Sequence, residues 1–218
     1  MAVGAVRLRL AISFTCQREE STPPYDRGMS EGSGRIARLD TQAIPRVGRG
    51  TQPEAGVSSG QPLSWEVVQD QLARGGWYWL SSADPGGAPH VTPVFAVWCD
   101  DAACVASNPS TRKSRNLLAR PACALAADKG NLHLVIEGRA RRLVDAAALQ
   151  RVTDAFRTTY GWPTEVAGEL LDAPYGAPTS RGGPFFVFAI DPTVAYGFPS
   201  DDSFEPTRWR FPEADRRK

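Results

Sequence analysis

Trp77-Tyr78-Trp79-Leu80-Ser81-Ser82-Ala83, then Asp84-Pro85-Gly86-Gly87, then Pro89-His90-Val91-Thr92-Pro93-Val94-Phe95-Ala96-Val97-Trp98, decides the architecture. Two runs rich in aromatic and β-branched residues flank a turn of Asp, Pro and two glycines, which reads as an antiparallel hairpin. A polar turn at Asp100-Asp101 leads into a third short run, Ala102-Ala103-Cys104-Val105-Ala106-Ser107. Cys123–Ala127 and Leu132–Leu143 add a fourth and a fifth strand, with Gly138 placed to permit a bulge. Phe185–Ile190 and Val194–Phe198 follow as two more. Many consecutive strands with few helices predict a mainly β fold with flanking helices, a small barrel of antiparallel meanders rather than a βαβ sheet. Trp77 and Trp79 are expected in its core.

Three helices punctuate the strands. Ser64 can cap one that carries Trp65, Val68 and Leu72 on a single face and ends at Gly75 or Gly76. Asp145 can cap another with Leu149, Val152, Phe156 and Tyr160 on one stripe. The third follows Asn108-Pro109-Ser110 and opens Thr111-Arg112-Lys113-Ser114-Arg115-Asn116. With Thr111 as N-cap, free backbone amides, the positive helix end, Arg112 and Lys113 can converge on one anion. Phosphate suits that set, although an ordinary capped helix with a solvated basic first turn reads the same way. No Walker glycine pattern is present.

With 218 residues, 42% of them hydrophobic and 22% charged, the chain has room for one domain plus a tail. A formal net charge of +1 gives no general electrostatic case for nucleic acid or for an anionic membrane. Residues 1–60 show no sustained period and are expected as a disordered extension, with Met29 as an alternative start. Residues 61–212 are expected as the domain and 213–218 as a tail. Cys16, Cys99, Cys104 and Cys123 form no CxxC pair and have no His at metal spacing, so no metal site is expected. A Cys99–Cys104 disulfide is conceivable, but reduced thiols in a cytoplasmic protein are the expectation. No apolar run approaches the ~20 residues that span a bilayer.

Taken in order, the Trp-rich strand, the Asp-Pro-Gly-Gly turn, His90 to Trp98, Ala106-Ser107, the Thr111 to Leu117 helix start and Glu137-Gly138 form one pattern. It resembles the pyridoxamine 5′-phosphate oxidase-like superfamily with the flavin-binding split-barrel fold. With the tail Thr207-Arg208-Trp209-Arg210-Phe211, it is most similar to the actinobacterial branch of flavin- and deazaflavin-dependent oxidoreductases.

The resemblance implies a homodimer with two cofactor sites at the subunit interface. It places Thr111, Arg112 and Lys113 on the cofactor phosphate, with Ser107 and Asn116 nearby. Thr92, Pro93 and Val94 would lie along the ring, and the second subunit would bring Trp209 and Arg208 to it. Each has a plainer reading: Thr92 and Val94 alternating with buried neighbours, Trp209 plugging an interface, Arg208 solvated. Tyr175 is a candidate for a substrate pocket or for interior packing. The implied reaction is hydride transfer between the deazaflavin coenzyme F-420 and a small conjugated or quinone-like acceptor. FMN is the alternative, in a flavin reductase or a pyridoxamine phosphate oxidase-like enzyme; a non-enzymatic cofactor- or haem-binding protein is the third. Because a cofactor would carry the chemistry, no protein catalytic residue is nominated.

Overall fold

The computed structural model describes residues 39–44, 61–176 and 182–212. Its elements run β1 (Asp40–Ala43), α1 (Trp65–Ala73), β2 (Trp77–Ala83), β3 (Pro89–Cys99), β4 (Ala102–Ser107), α2 (Arg112–Ala119) and β5 (Ala122–Asp128). They continue with β6 (Leu132–Leu143), α3 (Ala146–Tyr160), β7 (Glu165–Ala167), β8 (Leu170–Asp172), β9 (Phe186–Pro199) and β10 (Thr207–Arg210).

The hairpin forms as read, β2 against β3, and Gly87 takes a φ of 91° while its N–H donates to the Asp84 carbonyl. Asp100 and Asp101 both adopt positive φ, 51° and 58°, the backbone of a tight two-residue connection between β3 and β4. Six strands close on themselves in the order β9-β4-β3-β2-β5-β6, with β6 returning to β9. Every ladder is antiparallel. The mainly β split barrel with flanking helices is therefore the observed fold.

β9 makes the barrel a split one. Its first half, Phe186 to Ile190, pairs with β4, and its second half, Val194 to Gly197, pairs with β10 instead. The sequence reading expected two strands here, broken at Asp191-Pro192. The chain passes through because a bulge accommodates the proline. Pro192 sits opposite Gly138, Val194 opposite Glu137, and Thr193 is the extra residue, its hydroxyl donating to the Glu137 carbonyl at 3.1 Å. Gly138 is needed at this spot, since a Cβ there would lie 2.4 Å from the Asp191 carbonyl oxygen. Gly138→Ala is expected to cost about 1–3 kcal/mol, read as a lower urea midpoint with an unchanged slope.

Alternation divides the apolar residues between two cores. Tyr78, Leu80, Val94, Leu125, Leu134, Ile136 and Trp209 fill the barrel, which Trp65, Val68 and Leu72 of α1 help close. Leu149, Val152 and Phe156 of α3 pack with Val97, Cys104, Val187 and Ala189 in a second cluster outside it. The caps behave as expected at α2 and α3, where Thr111 and Asp145 accept from the Ser114 and Ala148 N–H groups. Ser64 occupies the N-cap of α1 without a side-chain hydrogen bond.

Three further features depart from the sequence reading. β1 lies in the stretch read as lacking period, yet it pairs with the free edge of β10. β7 and β8 form a small separate hairpin after α3, where only a loop was expected. Trp77 and Trp79 are not core residues: they are 55% and 53% exposed. In a strand whose Tyr78 and Leu80 face the barrel, the flanking tryptophans must face out.

Cys99, Cys104 and Cys123 are free thiols; Cys16 lies outside the described residues. Burial pushes the Cys104 thiol well up and Cys123 to about 12, from 9.0. Groups raised in the folded state keep protons that the unfolded chain loses, so their stabilisation is complete below the unfolded value and fades as pH rises through the folded one. Burial lowers Lys113 and takes Lys129 to about 8, which acts in the opposite sense. The thiol contribution is isolated by comparison: under reductant, a Cys104→Ala/Cys123→Ala variant should lose less stability than the parent between about pH 8 and about pH 11. Equal losses in urea titrations would contradict it.

Candidate cofactor site

α2 sits against β2 and β6 through a polar inner face. Ser107 at the end of β4, the cap Thr111 and Ser114 bring their hydroxyl oxygens within 2.8–3.0 Å of one another. The Asn108 carbonyl receives hydroxyl hydrogen bonds of 2.8–2.9 Å from the same group. Asn116 donates to Ser82 at 3.2 Å. Ser107, Ser114 and Asn116 are buried, so their hydrogen bonds position the helix from inside. Ser107 thus lies against the cap Thr111, and Asn116 is tied to Ser82 of β2 on the buried side of the helix.

The cations divide differently. Arg112 reaches Asp84 at 3.4 Å across an exposed gap, Arg115 donates to the Ser110 carbonyl at 2.6 Å, and Arg120 donates to the Pro85 carbonyl. Asp84 is held below the usual carboxylate range chiefly by the Ala88 N–H, with the Arg112 charge helping. The Lys113 ammonium has no hydrogen bond or ion pair among the described residues, and the side chain is half-buried, which pushes its pKa down. A partly desolvated ammonium without a counter-charge, at the N-terminal turn of a helix, is where an anion gains most.

On the sheet, register settles which residues share a surface. Pro93 lies opposite Trp79, Trp79 opposite Ala126, Ala126 opposite Val135, Val135 opposite Tyr196, and Tyr196 opposite Arg208. Directly paired residues of an antiparallel sheet point the same way, so this is one row across the outside of six strands. The next row holds Val91, Ser81 and Ala124, with Val91 56% exposed. The small Ala126 thus lies between the large apolar Trp79 and Val135. Thr92 and Val94 belong to the opposite face, paired with Leu80 and Tyr78 and turned toward the barrel. Of the three residues expected along a ring, only Pro93 points outward.

Trp209 is also inside. It has no exposed surface, donates its indole N–H to the Leu63 carbonyl at 3.1 Å, and meets Trp65 edge-on at 5.4 Å. This corrects its assignment to a cofactor ring, because no face of the indole is open. Its neighbour Arg208 points outward and donates to the Gln42 side chain. Tyr175 is 54% exposed, and its carbonyl accepts from Trp162, which groups it with the α3 cluster rather than with α2. Trp79, Val91 and Ala126 were missed by sequence reasoning. The available signal was β2 itself, apolar on both of its alternating faces, the mark of a strand covered on both sides.

The sequence pattern of the family described as pyridoxamine 5′-phosphate oxidase matches residues 64–196, more than half of the chain. The chain belongs to the pyridoxamine 5′-phosphate oxidase family. None of the curated proteins matches it. A conserved hypothetical protein from Mycobacterium tuberculosis shares the fold with a TM-score of 0.50 at 16% identity, over 70% of this chain and 92% of that one. An F-420 reductase aligns with a TM-score of 0.41 at 18% identity, over 58% of this chain and 94% of that one. A haem storage protein from Vibrio cholerae gives 0.44 at 16% identity, over 58% and 88%. At these identities the likeness is one of fold. Among the described residues of this family member, no helix is long and apolar enough to cross a membrane, and no His/Cys/Asp/Glu group is arranged to hold a metal ion.

Proposed function

We propose that the chain is an oxidoreductase that binds coenzyme F-420 and passes hydride between it and a small conjugated or quinone-like acceptor. The half-buried, unpaired ammonium of Lys113 carries this reading, since it fits a phosphate and has no counter-charge among the described residues. The remaining cations favour the deazaflavin over FMN. α2 has Arg112, Lys113 and Arg115, then Arg120 as its C-cap, and no acidic residue. Such a strip suits a ligand with several negative charges along a tail, as the deazaflavin has, more than a single terminal phosphate.

Pro93, Trp79 and Ala126, neighbours in the outer row, supply an apolar surface for a fused ring. When bound, the deazaflavin supplies the hydride chemistry. The chain orients it, neutralises its phosphate and keeps water from the face that Trp79 and Val91 cover. In this reading two copies bring their outer faces together and the ring lies between them, which accounts for two tryptophans left on the surface of one copy.

Fluorescence titration of the purified chain with coenzyme F-420 and with FMN, followed by mixing the reduced deazaflavin complex with a quinone, tests the proposal. Preferential deazaflavin binding and reoxidation of the reduced coenzyme by the quinone are expected. Tight FMN binding without deazaflavin binding would overturn it.

A further inference from the structure

The turn that joins β2 to β3 is fastened to both ends of α2. Arg112, the first residue of the helix, reaches one oxygen of the Asp84 carboxylate at 3.4 Å, and Arg120, the C-cap, donates to the Pro85 carbonyl. The turn also holds itself. Asp84 donates its N–H to the Ala88 carbonyl at 3.1 Å, and Gly87 donates to the Asp84 carbonyl at 2.9 Å. The Ala88 N–H donates to the other Asp84 carboxylate oxygen at 2.9 Å. Asp84 thus gives one oxygen to its own turn and the other to the first turn of α2.

We infer that Asp84 is a resident counter-ion of the phosphate site: it pairs with Arg112 when no ligand is bound and yields that guanidinium to the ligand's anion, so it sets how tightly the site holds an anionic ligand. The inference rests on the part of the proposal that puts a phosphate at the first turn of α2, and it applies to either cofactor.

The cations of that turn differ in what engages them. Arg115 is held by the Ser110 carbonyl, the Lys113 ammonium has no partner among the described residues, and Arg112 faces a carboxylate. An ion pair between part-exposed side chains is screened and weak, so an anion placed beside Lys113 can compete for the guanidinium. A phosphate carries more acceptor oxygens than the one that Asp84 offers, and a guanidinium meets them with paired donors. Release of Arg112 leaves the turn in place, because neither the Arg120 contact nor the turn's own hydrogen bonds involve it. Asp84 stays ionised after the exchange, since the Ala88 N–H, the largest cause of its lowered pKa, belongs to the turn. The contribution of Arg112 to affinity is then the excess of its phosphate contact over its carboxylate contact.

The test uses the full chain with Asp84→Asn, Arg112→Ala and the double variant, at ~150 mM salt so that distant charges are screened. Asparagine keeps an oxygen for the Ala88 N–H, so the turn is retained and Tm should change little. Affinity for coenzyme F-420 and for FMN is read by fluorescence, and the rate of phenylglyoxal modification of Arg112 in the ligand-free protein by peptide mass spectrometry. Asp84→Asn is expected to tighten cofactor binding roughly two- to fivefold and to speed modification of Arg112. In the Arg112→Ala background the same substitution should leave affinity unchanged. Equal tightening in both backgrounds would overturn the inference, because the carboxylate would then act through its field alone. Parental affinity in Asp84→Asn, while Arg112→Ala binds more weakly, would also overturn it and leave the phosphate at α2 standing. Tightening seen with FMN, in a protein that does not bind the deazaflavin, would support the inference and overturn the choice of cofactor instead. Parental affinity in Arg112→Ala would remove Arg112 from the phosphate site and the inference with it.

Discussion

Trp209→Ala is expected to destabilise the fold by about 4 kcal/mol, and to lower Tm by roughly 8–16 °C for a chain of this size. Trp209 is the largest fully buried side chain among the described residues. Truncation empties the space between Trp65 and Gly197, and it leaves the Leu63 carbonyl without its indole donor. The space is made for this ring. A Cβ on Gly197 would lie 2.7 Å from the indole, so the glycine admits a side chain that any larger residue would displace. Trp209→Phe separates packing from ligand contact. It should lose part of the stability while the folded protein binds cofactor with parental affinity. A large loss of affinity at full stability would return Trp209 to the ring site.

Lys113→Ala should weaken cofactor binding by about 10- to 100-fold, the worth of one charge-assisted hydrogen bond to phosphate. The free protein should be unharmed, because the substitution removes a desolvated ammonium that no described residue pairs with. Arg112→Ala should cost less, since its guanidinium is exposed and shared with Asp84. A pH titration adds a check of sign. Phosphate favours the charged ammonium, and burial has lowered the Lys113 pKa, so affinity should fall at a lower alkaline pH than for an ordinary lysine. Lys113→Arg should abolish that fall. Unchanged affinity in Lys113→Ala, measured by the same fluorescence titration, would exclude this lysine from the phosphate site.

The order of strands was legible because local chemistry specified it. Asp84-Pro85-Gly86-Gly87 and Asp100-Asp101 are turns in their own right, and Thr111 and Asp145 cap the helices they precede. Gly138 marked the bulge, although the inserted residue, Thr193, lies on the partner strand. What local chemistry could not decide was which face of a strand meets the core. Trp209 and Arg208 look equally fit for a ligand in sequence, and only the pairing of β10 with β9 puts one inside and the other out. The two readings of Thr92 and Val94 were open for the same reason, because a one-residue offset reverses every side chain. β1 was invisible: Asp40-Thr41-Gln42-Ala43 has little strand character and pairs because β10 offers it a free edge.

In the proposed complex a phosphate sits at Lys113 and a fused ring lies on the outer sheet between two copies of the chain. Native mass spectrometry of the protein with coenzyme F-420 tests it most directly. The account predicts a species of two chains carrying two cofactors, which Lys113→Ala depletes of cofactor without dissociating the chains. A single chain carrying one cofactor with undiminished affinity would contradict it.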